Sequence, residues 1–263
     1  MKIVAKEWRE AISKRRSRRR FNDEAINNDI INQLTDFQDT LNEYVDGAKV
    51  LFVNEVPDKI FKGAVGSYGK IKNAPAYVAF AGNMKDPNVQ EKVGYLGECF
   101  ILEATARGLA TCWVGGFFRE QTVNRHLNIA GEEKVLAVSP VGYTREDYSF
   151  EEKMMSGFAK SHKRLDLEKL CPNNDIESFP SWLRSALEAA RLAPSAVNRQ
   201  PWRFFIGENT IKISLDSPKD NYHISKRLDC GIAMLHLEVE ANYHGINGQW
   251  EYLKKPDVAL FTF

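Results

Sequence analysis

The 263-residue sequence has no apolar run near the roughly 18 consecutive residues that a membrane-spanning helix needs. Its first 21 residues, MKIVAKEWREAISKRRSRRRF, also lack the apolar core and the small-residue cleavage site of a secretory signal. We therefore expect a cytoplasmic protein with no membrane association.

Several motifs of cofactor and metal chemistry are also missing. The four cysteines form no C-x-x-C pair, and the five histidines form no H-E-x-x-H motif. The G-x-G-x-x-G fingerprint of a Rossmann dinucleotide site does not occur either. We expect reduced, mostly buried thiols and no metal site.

Charge is balanced overall but concentrated in one place. The net charge is +1, yet residues 14–20 read KRRSRRR, and without them 30 basic residues face 35 acidic ones. Nucleic-acid binders usually spread basic residues over a whole face, whereas one dense patch suits a discrete anion such as a phosphate. A solvated charged face, a localisation signal and a nucleic-acid arm remain open as other interpretations of this segment alone.

The apolar periodicity predicts an α+β fold. Helices are predicted over 5–20, 24–43, 88–109, 119–128, 181–193 and 225–244. Strands are predicted over 49–54, 76–82, 134–143, 202–207, 211–215 and 257–263. Residues 145–180 are charged and irregular, which is typical of a crossover linker.

One pattern repeats at an offset of 137 residues. The repeated residues are Gly94, Gly108 and Trp113, which match Gly231, Gly245 and Trp250. Two unrelated helix–glycine–strand units would give the same pattern by chance. A duplication would instead predict two halves, residues 1–160 and 161–263, packed like the subunits of a symmetric dimer.

Three segments carry candidate binding chemistry. The arginine segment, residues 15–21 (RRSRRRF), offers guanidinium groups that bind phosphate in a bidentate manner. The proline loop, residues 193–202 (APSAVNRQPW), fixes an irregular backbone between two prolines, although a plain helix-to-strand turn would look alike. The glycine segment, residues 108–117 (GLATCWVGGF), contains a glycine pair. This pair would let the backbone approach a ligand closely, although a plain loop with two permissive residues would look the same.

Together, these three segments resemble the FMN-dependent nitroreductase family, specifically its single-chain tandem type called putative TM nitroreductases. The resemblance implies an α+β nitroreductase-like fold of two similar halves, each an antiparallel or mixed sheet flanked by helices. Ordinary members are homodimers with FMN at the subunit interface. Here the arginine segment lies in the first half and the proline loop in the second, which implies a pseudo-dimer with one composite FMN site per chain.

The resemblance also implies which residues bind FMN. From the first half, these are Arg15, Arg16 and Ser17 at the phosphate and ribityl end, Arg19, Ser67 and Lys70 near the pyrimidine edge, and Gly115 and Gly116 near N5 and O4. From the second half, these are Lys163 and Arg164 over the phosphate, and Pro194, Ser195, Ala196 and Asn198 along the ring.

The implied activity is reduction of nitroaromatics, quinones or related flat electrophiles by NAD(P)H, with ping-pong hydride transfer through flavin N5. Arg19 and Lys70 would stabilise negative charge on the flavin, and no side chain would act as a nucleophile. An FMN-binding carrier or sensor without efficient turnover is the alternative, and a basic-arm interaction module is a third. The sequence leaves open the acceptor, NADH against NADPH, and further dimerisation; we expect no nucleic-acid partner.

Overall fold

A computed structural model describes residues 3–56, 60–61, 71–145, 147, 163–220 and 224–263. The helices are α1 (Ala5–Lys14), α2 (Asn28–Tyr44), α3 (Val89–Ala106), α4 (Glu120–His126), α5 (Leu167–Leu170), α6 (Ser181–Arg191) and α7 (Lys226–Tyr243). The strands are β1 (Ala48–Val53), β2 (Ala76–Asn83), β3 (Ala110–Thr111), β4 (Glu133–Gly142), β5 (Trp202–Ile206), β6 (Thr210–Leu215), β7 (Gln249–Tyr252) and β8 (Asp257–Thr262). Short 3-10 turns cover Ile176–Ser178 and Ala196–Asn198.

The strands form two antiparallel four-stranded sheets with the same topology. The first sheet has the order β1-β2-β4-β3, and the second has the order β5-β6-β8-β7. In each sheet, a long helix (α3 or α7) leads from the second strand of the sequence to the third. The expected α+β fold with two similar halves is therefore confirmed.

The two long helices, α3 and α7, pack against each other at the centre of the molecule through a pair of glycines. A Cβ atom placed on Gly94 would lie 2.0 Å from the carbonyl oxygen of Leu228, and one placed on Gly231 would lie 2.1 Å from that of Glu91. Leu228 is the residue 137 positions after Glu91, so each contact is the mirror of the other. This reciprocity is the property of an isologous interface.

Both helices also end in the same way. Gly108 and Gly245 adopt left-handed φ values of +80° and +79°. The amides of Leu109 and Ile246 each donate, at 2.9 Å, to the carbonyl five residues earlier. This is the Schellman motif, in which a glycine takes the left-handed position without a Cβ penalty. The predicted stops at these two glycines are confirmed.

The predicted helix over 5–20 is too long, because α1 ends at Lys14. Arg15 has the extended conformation φ −55°, ψ 129°. Closely spaced like charges disfavour a helix, whereas an extended chain can bond to a neighbouring strand. The segment does so: Ser17 pairs with Thr111 of β3, and the Arg18 amide donates to the Thr111 carbonyl at 2.9 Å.

The predicted irregular linker over 145–180 is wrong for its described C-terminal part. Residues 167–170 form α5, and residues 176–178 form a 3-10 turn. Leu167, Leu170 and Cys171 are buried in the main hydrophobic core. The short strands β3 and β7 were also not predicted, since they are too short to show an apolar alternation. None of the described helices has the length and apolarity needed to cross a bilayer.

Candidate functional site

The arginine segment lies extended along the edge of the first sheet with its arginines pointing in different directions. Arg15 and Arg18 are buried, with 7% and 8% of their surface exposed, whereas Arg16 and Arg20 are exposed. Phe21 is buried at the end of the segment and fixes it to the core. The fold therefore brings a cationic side chain into the interior at Arg15, where a charge is costly unless an anion accompanies it.

The proline loop has a strained backbone. Val197, Asn198 and Gln200 have positive φ values of 49°, 58° and 48°. Such values are rare outside glycine, and for a β-branched residue such as Val197 they mark strain that neighbouring contacts must maintain. One of these contacts joins the loop to itself, because the Gln200 amide donates to the Ser195 hydroxyl oxygen at 3.0 Å.

A buried ion pair holds the loop from below. Asp229, in the first turn of α7, accepts hydrogen bonds from the Ala196 amide at 3.1 Å and from Arg199 Nε at 2.6 Å. Arg199 Nη1 donates to the carbonyl of Ile224, and Ile224 lies 3.2 Å from the position of a Cβ on Gly115. The proline loop and the glycine segment are thus brought together through one shared neighbour.

The second half also places one cation, Arg164, beside the arginine segment. Arg164 Nη1 donates to Asn198 Oδ1 at 3.0 Å, and Asn198 Nδ2 donates to the carbonyl of the residue before Arg164 at 2.8 Å. Burial, together with repulsion from Arg15 and Arg16, lowers the pKa of Arg164 to about 10. The arginines of the first half and the proline loop of the second therefore meet at Arg164.

Arg15 is the most incompletely satisfied group at this meeting point. Its Nε and Nη1 atoms are buried and have no hydrogen-bond partner within the described part of the chain. Among the described residues, the nearest carboxylate oxygen is Glu98 Oε1, which lies 3.8 Å from Nε, within ion-pair range but too far for a hydrogen bond. Buried donors without partners, surrounded by other guanidinium groups, are suited to binding an anion.

The other predicted site residues are distributed around this cluster. Ser67 and Lys70 lie outside the described residues. Arg19 is half-buried, and its carbonyl accepts a hydrogen bond from the Lys72 amide at 2.9 Å. Pro194, Ser195 and Ala196 are half-buried on the proline loop, Ser17 is half-buried beside Thr111, and Lys163 and Gly116 are exposed. The carboxamide of Asn198 bonds to the carbonyl of Lys163 and to the guanidinium of Arg164, and the sequence did not indicate these contacts.

Sequence reasoning missed the buried polar residues on the two long helices, α3 and α7. Glu98 and His236 are fully buried and lie 2.9 Å apart from Oε1 to Nε2, and Asp229 supports the proline loop. The only signal was a lone charged or polar residue among apolar helix positions, which does not reveal its partner. Among the described residues, no cluster of histidine, cysteine and acidic side chains could hold a metal ion, and the four cysteines are free and buried as expected.

The Asp229–Arg199 pair gives a prediction for stability against pH. Burial raises the pKa of Asp229 to about 6 from its ordinary 3.8, although Arg199 and the Ala196 amide oppose the shift. Between these values the folded state binds more protons than the unfolded state, so this group's contribution to stability falls as pH rises. We expect wild type to lose about 3 kcal/mol relative to Asp229→Asn between roughly pH 4 and pH 7. Urea unfolding of both proteins across this pH range measures the difference in their free energies of unfolding. A difference that stays the same at every pH would contradict the prediction.

Comparisons with known proteins give the family of the chain and relatives of its fold. A family model described as "Putative TM nitroreductase" matches residues 7–241. The crystal structure of a putative nitroreductase from Thermotoga maritima MSB8 is 22% identical, with a TM-score of 0.63 over 97% of this chain and 93% of that chain. This similarity shows a shared fold.

Two further solved structures match less closely. A nitroreductase family protein of Clostridium difficile 630 is 16% identical, with a TM-score of 0.48 over 64% of this chain and 98% of that one. An FMN-dependent nitroreductase of Clostridium difficile R20291 is 18% identical, with a TM-score of 0.47 over 63% and 98% of the two chains. No curated protein matches the sequence.

Proposed function

The chain belongs to the putative TM nitroreductase family and thereby to the oxidoreductases, and from this premise we propose that it binds FMN and uses NAD(P)H to reduce a small electron acceptor. The acceptors we propose are nitroaromatics, quinones or related flat electrophiles. A cytoplasmic location is part of the proposal.

The observation that supports FMN most strongly is the buried guanidinium of Arg15. Two of its nitrogens lack hydrogen-bond partners within the described residues, and Arg164 lies near enough for the charges of Arg15 and Arg16 to lower its pKa. A phosphate monoester carries about −1.5 to −2 charge at neutral pH and three acceptor oxygens, which fits this donor set. The residues present therefore suit the phosphate of FMN.

The remaining segments would hold the other end of the cofactor. The strained proline loop, supported by Asp229, presents a fixed backbone surface, and Gly115, which shares the neighbour Ile224 with that loop, has no side chain to block a close approach. Arg19, and Lys70 outside the described residues, would place positive charge near the pyrimidine edge. When bound, FMN supplies hydride transfer between the nicotinamide donor and the acceptor.

We propose further that the chain is a tandem duplication, with halves at residues 1–160 and 161–263. The boundaries of α3 and α7, the glycine contacts between them and their glycine stops all repeat at the same offset of 137 residues. Since only the first half has the arginine segment and only the second has the proline loop, we infer one FMN per chain.

A spectrum of the purified protein tests the proposed function directly. We expect flavin absorbance at one equivalent per chain and loss of that absorbance on anaerobic addition of NADH or NADPH. Bound flavin that nicotinamide reduces only slowly would favour the carrier or sensor alternative. A protein that binds no added FMN would contradict the proposal.

Arg15→Ala gives the sharpest test of the phosphate site. Hydrogen bonds to a charged group contribute about 1.5–3 kcal/mol each, so losing the two that Nε and Nη1 would donate should weaken FMN binding by at least 100-fold. Binding of riboflavin, which has no phosphate, should change little. Lys14→Ala is the matched control, because Lys14 is exposed and pairs with Glu10 at 3.0 Å. Equal losses for FMN and riboflavin in titration calorimetry would argue against a phosphate at Arg15.

A further inference from the structure

Glu98 connects the candidate site to the interface between the two long helices, α3 and α7. Its side chain is fully buried on α3. Oε2 accepts a hydrogen bond from Trp113 Nε1 at 2.6 Å, and Oε1 faces His236 Nε2 at 2.9 Å and Arg15 Nε at 3.8 Å. One carboxylate thus contacts the arginine segment, the tryptophan just before the glycine pair, and helix α7 of the second half.

The two polar neighbours of His236 constrain how many protons the His236–Glu98 pair can hold. Its Nδ1 atom lies 3.0 Å from the carbonyl oxygen of Ala189, which can only accept, so Nδ1 carries a hydrogen. Its Nε2 atom faces Glu98 Oε1, and a hydrogen bond there needs a second proton between the two atoms. With this second proton present, on either atom, His236 and Glu98 together carry no net charge.

This neutrality has a consequence for Arg15. If His236 held only one proton and Glu98 were ionised, the carboxylate 3.8 Å away would neutralise the Arg15 guanidinium. Both Glu98 and His236 are fully buried, and charges act strongly on each other in such a low-dielectric interior. With the extra proton present, the positive charge of Arg15 is left for a ligand.

We propose that His236 is a positioning residue, which keeps Glu98 from neutralising Arg15 so that the guanidinium charge remains available to the phosphate of FMN. The proposal rests on the proposed function, because it assumes that FMN is the ligand at Arg15. It assigns a role to a histidine in the second half that is separated from the ligand by Glu98 and Arg15.

Three variants test this role through opposite effects. In His236→Gln, the amide still donates to Glu98 but brings no extra proton, so Glu98 should neutralise Arg15 and FMN binding should weaken about 30-fold. In Glu98→Gln, the amide oxygen still accepts from Trp113 while its nitrogen donates to a neutral His236, so FMN binding should stay within about threefold of wild type. In the double variant Arg15 again has no counter-charge, so affinity should return toward the wild-type value. Riboflavin binding should stay nearly constant throughout.

The outcomes separate charge from structure. His244→Gln is the matched control, since His244 is exposed at the end of α7 and its change should not affect FMN binding. A merely structural role predicts that the double variant binds FMN more weakly than either single variant, and that result would overturn the proposal. If His236→Gln does not fold, wild type decides: ¹⁵N-histidine spectra showing a bare Nε2, without an infrared carboxylic-acid band, would also overturn it. Failure of wild type to bind FMN would instead reject the proposed function.

Discussion

Gly231→Val should prevent stable folding or reduce the free energy of unfolding by more than about 4 kcal/mol. A Cβ atom at this position would lie 2.1 Å from the carbonyl oxygen of Glu91 and 2.9 Å from its Cα atom. Both are backbone atoms of the other long helix, so no side chain can rotate away to make room. The helices would have to separate, and the close-packed core around them would lose its contacts.

A second glycine separates this steric effect from a general intolerance of substitution. Gly108 has a φ of +80°, but a Cβ there would meet no atom within 4 Å. Gly108→Ala should therefore cost only the strain of a left-handed alanine, about 1 kcal/mol. Urea unfolding followed by circular dichroism compares the two. Equal losses would mean that the contact between the long helices, α3 and α7, does not control stability.

The same glycines show what the sequence could predict. Gly94 and Gly231 were recognisable as members of a repeat because they recur at a fixed spacing. Gly108 and Gly245 were recognisable as helix ends because each follows an apolar periodic segment. Helix and strand positions followed from local periodicity in the same way. Which face of each helix the other approaches is a tertiary property, so the reciprocal contact with Leu228 and Glu91 was not available from spacing.

The candidate site was predictable only as far as its parts are contiguous in sequence. The arginine segment and the proline loop were each recognisable, and the structure brings them together at Arg164. The network behind them was not recognisable, because Glu98 and His236 are 138 residues apart and each sits in an apolar helix. A buried acid shows no sequence signal for its partner, since the partner is chosen by packing.

Arg227 is the other residue whose removal should have a large effect. Its Nε donates to Glu91 Oε2 at 2.8 Å, and its Nη2 also donates to Glu91 Oε1. Nη1 donates to the carbonyl of Asp257 at the start of β8, and Nη2 donates to the carbonyl of Leu253 between β7 and β8, both at 2.8 Å. A single buried guanidinium thus links α3, α7 and β8.

Arg227→Met should destabilise the protein by about 3–5 kcal/mol at neutral pH, because Glu91 would remain buried without a counter-charge. Burial already raises the pKa of Glu91 above 4.5, and Arg227 opposes this rise, so the variant should raise it further. An acid whose pKa is higher in the folded than in the unfolded protein stabilises the fold at pH values below its ordinary pKa. This stability is lost as pH rises through the folded-state pKa. The free energy of unfolding of Arg227→Met should therefore lie closer to that of wild type in acid than at neutral pH.

The double variant Glu91→Met with Arg227→Met isolates the pairing from the lost carbonyl contacts. It should recover much of the stability at neutral pH, since no charge is left buried, and its deficit relative to wild type should not grow as pH rises from about 4 to 7, unlike that of Arg227→Met. Chemical unfolding of wild type, the single variants Glu91→Met and Arg227→Met, and the double variant at two pH values gives the coupling free energy. A double variant as unstable as Arg227→Met, with the same pH dependence, would show that the carbonyl contacts of Arg227 matter and its charge does not.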